Sequence, residues 1–164
     1  MQANPRNPLT WPPSAKALAT QLKEWTGRVP PILFHGTADG GFTSFDLDVS
    51  HGCVWFTPAR ESAEGIARDK LKEGHRGRIA AVYECSVTFR RIAAFRNEDG
   101  IYEFGGTLHR SSDRGALRCA AHMLRALGYD GIVEFGYWRT CSIANASFGA
   151  LELSTISILS EERL

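Results

Sequence analysis

The sequence has no stretch of the roughly 18 apolar residues that a membrane-crossing helix needs. Its first 13 residues are polar and proline-rich, without the apolar core of a secretory signal. These absences predict no membrane partner and a cytoplasmic protein, or one delivered into a target cell without such a signal. Charge of one sign is also missing: 19 basic residues face 18 acidic ones. A dedicated DNA-binding domain usually carries a basic excess. Lysine is scarce, with 4 Lys against 15 Arg. That skew fits phosphate recognition, since Arg pairs bidentately with phosphate, and equally fits a GC-rich genome. The four cysteines (Cys53, Cys85, Cys119 and Cys141) include no CxxC pair and no His at zinc-finger spacing. No clustered ligands appear, so no metal is expected.

What remains is ordinary for a globular chain. Hydrophobic residues make up 43% and charged residues 23% of 164 residues, close to the average for folded domains. That length suits one domain with a core that needs no staple. Pro5, Pro8, Pro12 and Pro13 predict an extended arm over 1–13. Ser14 caps an expected helix with Leu18, Leu22 and Trp25 on one stripe, stopped near Gly27. Short strands are expected at 32–34 and 54–56, with a Gly-, Asp- and Ser-rich loop between them. A helix over 58–72 places Ala63, Ile66, Ala67 and Leu71 on one face. Strands follow at 79–87 and 92–95. Residues 97–112 contain Gly100, Gly105 and Gly106 and read as loop. A third helix runs from Ser112 or Asp113 to Gly128. Further strands are expected at 131–135, 140–144, 150–153 and 155–159. Helices and strands do not alternate one for one. The pattern therefore predicts an α+β fold with two small, mostly antiparallel sheets flanked by helices.

The most informative segment is Phe34-His35-Gly36-Thr37. His35 ends a strand, with a glycine and a hydroxyl residue directly behind it. Gly36 has no Cβ and admits a ligand close to the backbone, where its N–H and C=O suit a flat carboxamide. His35 offers a ring N–H to a ribose hydroxyl. Alone, the tetrapeptide also fits a polar strand end running into a turn. It is followed by an FxxFD run (Phe42 to Asp46), then Gly52-Cys53-Val54-Trp55-Phe56-Thr57, then Ser62-Ala63-Glu64-Gly65-Ile66-Ala67. Val82–Val87 and Leu127-Gly128-Tyr129-Asp130-Gly131-Ile132-Val133 complete an ordered set over about 32–159. This set resembles the ADP-ribosyltransferase fold, in its diphtheria-toxin/PARP-like branch with a His–Tyr–Glu triad. That branch includes small transferase domains of phage and bacterial effector proteins.

The resemblance implies a pair of sheets enclosing an NAD cleft, with residues 1–31 as arm and helix and 32–164 as the domain. It implies NAD as substrate, no metal, and a macromolecular acceptor, protein before nucleic acid. His35, Gly36, Thr37, Trp55, Phe56 and Ser62 become the cofactor-binding set. His35 would bond the adenosine-side ribose, Gly36 would clamp the carboxamide, and Trp55 would stack on the nicotinamide where the family has tyrosine. Ser62 stands near the serine that bonds the carboxamide. The family's catalytic glutamate begins a late strand, and here that place falls on Thr140, or on Ser147 in another register. Glu134 is the preferred substitute, across an expected hairpin of 132–135 with 139–143, and Glu152 the alternative. His35, Trp55 and Glu134 are thus the catalytic candidates. Tyr137, Trp138 and Arg139 at the hairpin tip are the acceptor-recognition candidates. His51 could line the cleft mouth; Arg90 and Arg91 read as a solvated strand end. An NAD-hydrolysing toxin and a catalytically degenerate binding module remain open alternatives.

Overall fold

The computed structural model describes residues 3–73, 78–110, 112–136 and 143–164. In chain order the elements are α1 (Pro13–Gln21), β1 (Lys23–Trp25), β2 (Leu33–Thr37), β3 (Val54–Phe56), α2 (Arg60–Lys72), β4 (Ala81–Val87), β5 (Ile92–Phe95), α3 (Glu98–Gly106), α4 (Asp113–Ala126), β6 (Gly131–Glu134), β7 (Ser147–Ala150) and β8 (Ile156–Arg163). The strands make two sheets, one of five in the order β1-β5-β6-β7-β3 and one of three in the order β2-β4-β8. Among the described residues only the β5–β6 pair is parallel. Parallel neighbours need a long crossover, and α3 with α4 supplies it. This is the α+β architecture with two mostly antiparallel sheets that the sequence pattern predicts.

Strand alternation divides the core in two. Ala93, Phe95 and Ile132 point from the large sheet toward Ile101, Phe104, Met123 and Leu124 of α3 and α4. Val54, Phe56, Val133 and Phe148 point the other way, against Leu33, Tyr83 and Cys85 of the small sheet. β2 and β3 meet edge to edge at one bridge, where Phe34 and Thr57 exchange backbone hydrogen bonds of 2.8 and 2.9 Å. Beyond that bridge the two sheets part.

Several sequence expectations are corrected. The 1–13 arm is not simply extended: Pro8–Thr10 form a 3-10 turn, and Trp11 is buried edge-on to Phe104 at 6.4 Å. The first helix ends at Gln21, and Trp25 lies in β1 opposite Ile92. Trp25 gains an edge-to-face contact with Phe148 there, which outweighs the helical stripe. β2 continues through Thr37, so His35 lies inside a strand. α2 begins at Arg60 and buries only Ala63 and Ala67, while Ile66 and Leu71 remain exposed. The expected loop over 97–112 contains α3. Asn97 caps it by accepting from the Gly100 N–H, and Gly105 allows α3 to touch α4: a Cβ there would lie 1.9 Å from the Ala116 carbonyl oxygen. Close packing overrides the weak helix propensity of glycine. Residues 143–145 are a 3-10 turn, and the late strand starts at Ser147. β6 pairs with Ser147–Ala150; residues 139–142 of the expected hairpin lie outside the described residues. Of the expected strand 150–153 only Ala150 is in one, as the end of β7; Leu153–Thr155 form a 3-10 turn and the last strand runs to Arg163.

Candidate active site

The site grows from the parting of β2 and β3. A cavity of about 470 Å³ opens there, with His35 and Thr37 from β2, Trp55 from β3, Lys70 from α2 and Leu117 from α4 in its wall. The 38–53 loop forms the roof and is pinned at both ends. Tyr83 Oη accepts from the Gly41 and Phe42 N–H groups at 2.9 and 3.0 Å. At the other end, Arg118 and Arg125 of α4 donate to the carbonyls of Asp48 and Gly52 at 3.0 and 3.2 Å. Phe42 stacks on Tyr83, and Phe42, Phe45 and Phe56 fence the His35 ring edge-on. The FxxFD run therefore builds the wall around the histidine.

His35 Nδ1 lies 2.7 Å from the Trp55 carbonyl oxygen. A carbonyl only accepts, so Nδ1 carries the proton and the neutral ring presents Nε2 as an acceptor. Burial is the main cause that lowers the His35 pKa from 6.5 to about 4; the Trp55 carbonyl opposes it and Lys70 adds to it. The ring is neutral at pH 7. The expected role is thereby reversed in direction: Nε2 accepts a hydrogen bond from a hydroxyl and donates none.

Gly36 is held by packing. A Cβ there would lie 1.9 Å from the Ala63 carbonyl oxygen of α2, and its own carbonyl faces Lys70 Nζ at 3.4 Å. It is not among the residues that line the cavity, and the space beside its Cα is taken by α2. Thr37 is buried in the wall, and its Oγ1 accepts from the Asp39 N–H at 3.0 Å. Phe56 is core between the sheets. Ser62 is exposed on α2 and reaches neither the cavity nor its rim, because Ala63 takes the face toward β2.

Trp55 lies over Gly149 of the paired strand, where a Cβ would meet the indole at 3.2 Å and Cys53 Sγ at 2.4 Å. Gly149 thus lets the indole lie flat across β7. Trp55 also walls a second hollow of about 260 Å³, shared with Glu98, Glu134 and Ser147. Glu134 is paired in register with Ser147, the first residue of β7. One of its oxygens accepts from the Gly136 N–H at 2.8 Å. Glu134 and His35 therefore stand on different sides of Trp55, in adjoining hollows. Glu152 is elsewhere, in an ion pair of 3.3 Å with Arg90. Thr140 and the Tyr137, Trp138 and Arg139 tip lie outside the described residues, as does His75.

Lys70 and Glu98 were not legible as site residues. Lys70 is one lysine on an amphipathic helix, and burial lowers its pKa. Glu98 follows Asn97, and an Asn cap with two acids behind it is a helix-start signal that was available. Arg90 and Arg91 are structural. Their N–H groups and the Arg90 guanidinium bond Asp130, which is 1% exposed, at 2.9 to 3.1 Å. Burial raises the Asp130 pKa, but those donors outweigh it and hold the carboxyl below its usual range. Cys53 borders the main cavity, and burial pushes its thiol far up; Cys85 and Cys119 are raised to about 12 and about 11 by burial. No thiolate nucleophile is present at Cys53, Cys85 or Cys119 at neutral pH. Among the described residues no three His, Cys, Asp or Glu side chains are placed to hold a metal, and no helix is long and apolar enough to cross a membrane.

The architecture is that of a two-sheet α+β domain with a cavity between the sheet edges. No protein-family model matches the chain, and no curated protein matches it in sequence. Among solved structures, a chain of the M. tuberculosis MbcT–MbcA toxin–antitoxin complex is similar in fold, with a TM-score of 0.54 over 92% of this chain and 91% of that chain, at 8% identity. At that identity the likeness is one of fold.

Proposed function

We propose that this chain transfers ADP-ribose from NAD to a macromolecular acceptor, a protein before a nucleic acid. The observation that carries the reading is the fixed tautomer of His35: a neutral imidazole turns Nε2 as an acceptor toward a cavity that an indole also walls. A ribose hydroxyl donates to Nε2, and Trp55 supplies the flat π surface for the nicotinamide ring. The C1′–N bond then breaks, nicotinamide leaves with the bonding electron pair, and the acceptor nucleophile bonds C1′ and loses its proton. The Glu134 carboxylate, beyond the indole, stabilises the developing cation. The fold likeness to a chain of a toxin–antitoxin complex supports an effector or toxin role, with a neutralising protein as a further partner.

A second reading is favoured by one observation. The resemblance puts the family's acid at Thr140, or at Ser147 in another register; both are neutral, and Ser147 begins the late strand, which favours a binding module without catalysis. Purified chain incubated with a cell lysate and NAD labelled in its adenylate phosphate separates the two. Label is expected in protein, and Glu134→Gln is expected to remove most of it. A chain that binds NAD without moving label or releasing nicotinamide is the binding module. Nicotinamide release without label transfer identifies hydrolysis.

A further inference from the structure

The nearly balanced charge of this chain is unevenly paired. Arg60, Arg78, Arg90, Arg91 and Arg163 each meet a carboxylate. Arg6, Arg114, Arg118 and Arg125 form no ion pair among the described residues, and three of them are on α4. Arg114 and Arg118 border a separate hollow of about 590 Å³, whose wall also includes His51, His109 and His122 and, among the described residues, no carboxylate. Arg114, Arg118 and His122 recur every four residues and share one face of α4. His51 arrives from the 38–53 loop, and Ala3 and Pro5 border the hollow as well. His51 also lines the main cavity, so the two hollows share a wall.

The cations crowd one another. Burial, then Arg114 and Arg118, lowers the pKa of His51. Burial, then Arg125, Arg6 and Arg118, lowers that of His122, which Asp48 opposes. Cationic groups gathered in a wall that holds no described carboxylate repel one another, and a bound anion lowers that cost. The two Arg forks in this concave wall, Arg114 and Arg118, match the tetrahedral oxygens of phosphate.

We propose that this hollow is a phosphate-binding site, which takes the phosphate or diphosphate group of a nucleotide-type ligand. The site stands independently of the reaction assigned to the main cavity. The shared wall at His51 admits two sources for the group: the diphosphate of a dinucleotide that extends from the main cavity, or the phosphate of a separate ligand.

The test is a titration of the full chain with inorganic pyrophosphate at low ionic strength, followed by NMR of the histidine rings. His51, His109 and His122 are expected to shift while His35 does not. Arg118 also holds the loop carbonyl of Asp48, so the exposed Arg114 is the position to change. Arg114→Glu is expected to weaken binding at least about tenfold, and Arg96→Glu, an equal charge change at an exposed residue outside the hollow, by far less. ADP-ribose separates the sources. If it moves His35 and the other three rings in one binding event, the diphosphate belongs to a dinucleotide spanning both hollows. If it binds the main cavity while pyrophosphate stays bound, the group belongs to a separate ligand. Either result supports the phosphate site. Failure of both compounds to move the three rings, or equal weakening by Arg114→Glu and Arg96→Glu, overturns it.

Discussion

The fixed tautomer of His35 makes a prediction about acid stability. Burial holds the ring pKa at about 4 in the folded chain, against 6.5 for an ordinary histidine. Between these values the unfolded chain binds a proton that the folded one refuses. The contribution of His35 is therefore fully present above about pH 6.5 and is lost as pH falls toward 4. At about 1.36 kcal/mol per unit of pKa difference the loss is roughly 3 kcal/mol. The perturbation is His35→Asn, whose amide can still donate to the Trp55 carbonyl but does not titrate. Urea unfolding of both proteins from pH 7.5 to 4 measures the effect, since Asp130, His51 and His122 titrate alike in both and cancel in the difference. Wild type is expected to lose roughly 3 kcal/mol more than the variant over that range, with no difference in slope above pH 7. Parallel curves for the two proteins would show that the folded chain protonates His35 as readily as the unfolded one, and the claim that burial holds the ring neutral down to about pH 4 would fall.

Three other changes probe the frame of the site. Gly36→Ala drives a Cβ to 1.9 Å from the Ala63 carbonyl, so α2 must leave β2; a loss of 3 kcal/mol or more, of the order of severe overpacking, is expected in thermal unfolding. Gly149→Ala presses on Cys53 Sγ and the Trp55 indole and is expected to cost about 1–3 kcal/mol, with a shift in tryptophan fluorescence that reports the displaced ring. Asp130→Ala strands the Arg90 and Arg91 N–H groups and is expected to cost about 3 kcal/mol; denaturant unfolding that finds less than 1 kcal/mol would remove Asp130 as the clasp between β5 and β6.

The strands that met clear alternation and turn residues were legible: 54–56, 92–95 and the run after Gly128 lie where the pattern puts them. The segments misread were those in which packing overrules local preference. Gly105 looks like a loop residue until α4 is laid against it, and Trp25 looks helical until Phe148 is beside it. The late strand begins at Ser147, later than expected, because Ser147–Ala150 carries little strand signal of its own. His35, Trp55 and the FxxFD run stand close together in the sequence, and the fold gathers them around one cavity. Glu98 and Lys70 were not legible as site residues, because only the fold brings residues from α2 and α3 to the two hollows. Gly36 meets α2 and Ser62 faces solvent, placements that only the packing of α2 on β2 decides.

The central claim is that the cavity beside His35 and Trp55 holds NAD for cleavage of its nicotinamide bond. The most direct measurement is release of free nicotinamide from NAD by the purified chain, compared with His35→Ala and Trp55→Ala at matched folded concentration. Release by wild type, reduced at least about a hundredfold in each variant, is the predicted result. A wild-type chain that neither releases nicotinamide nor binds NAD, with or without lysate, contradicts the account.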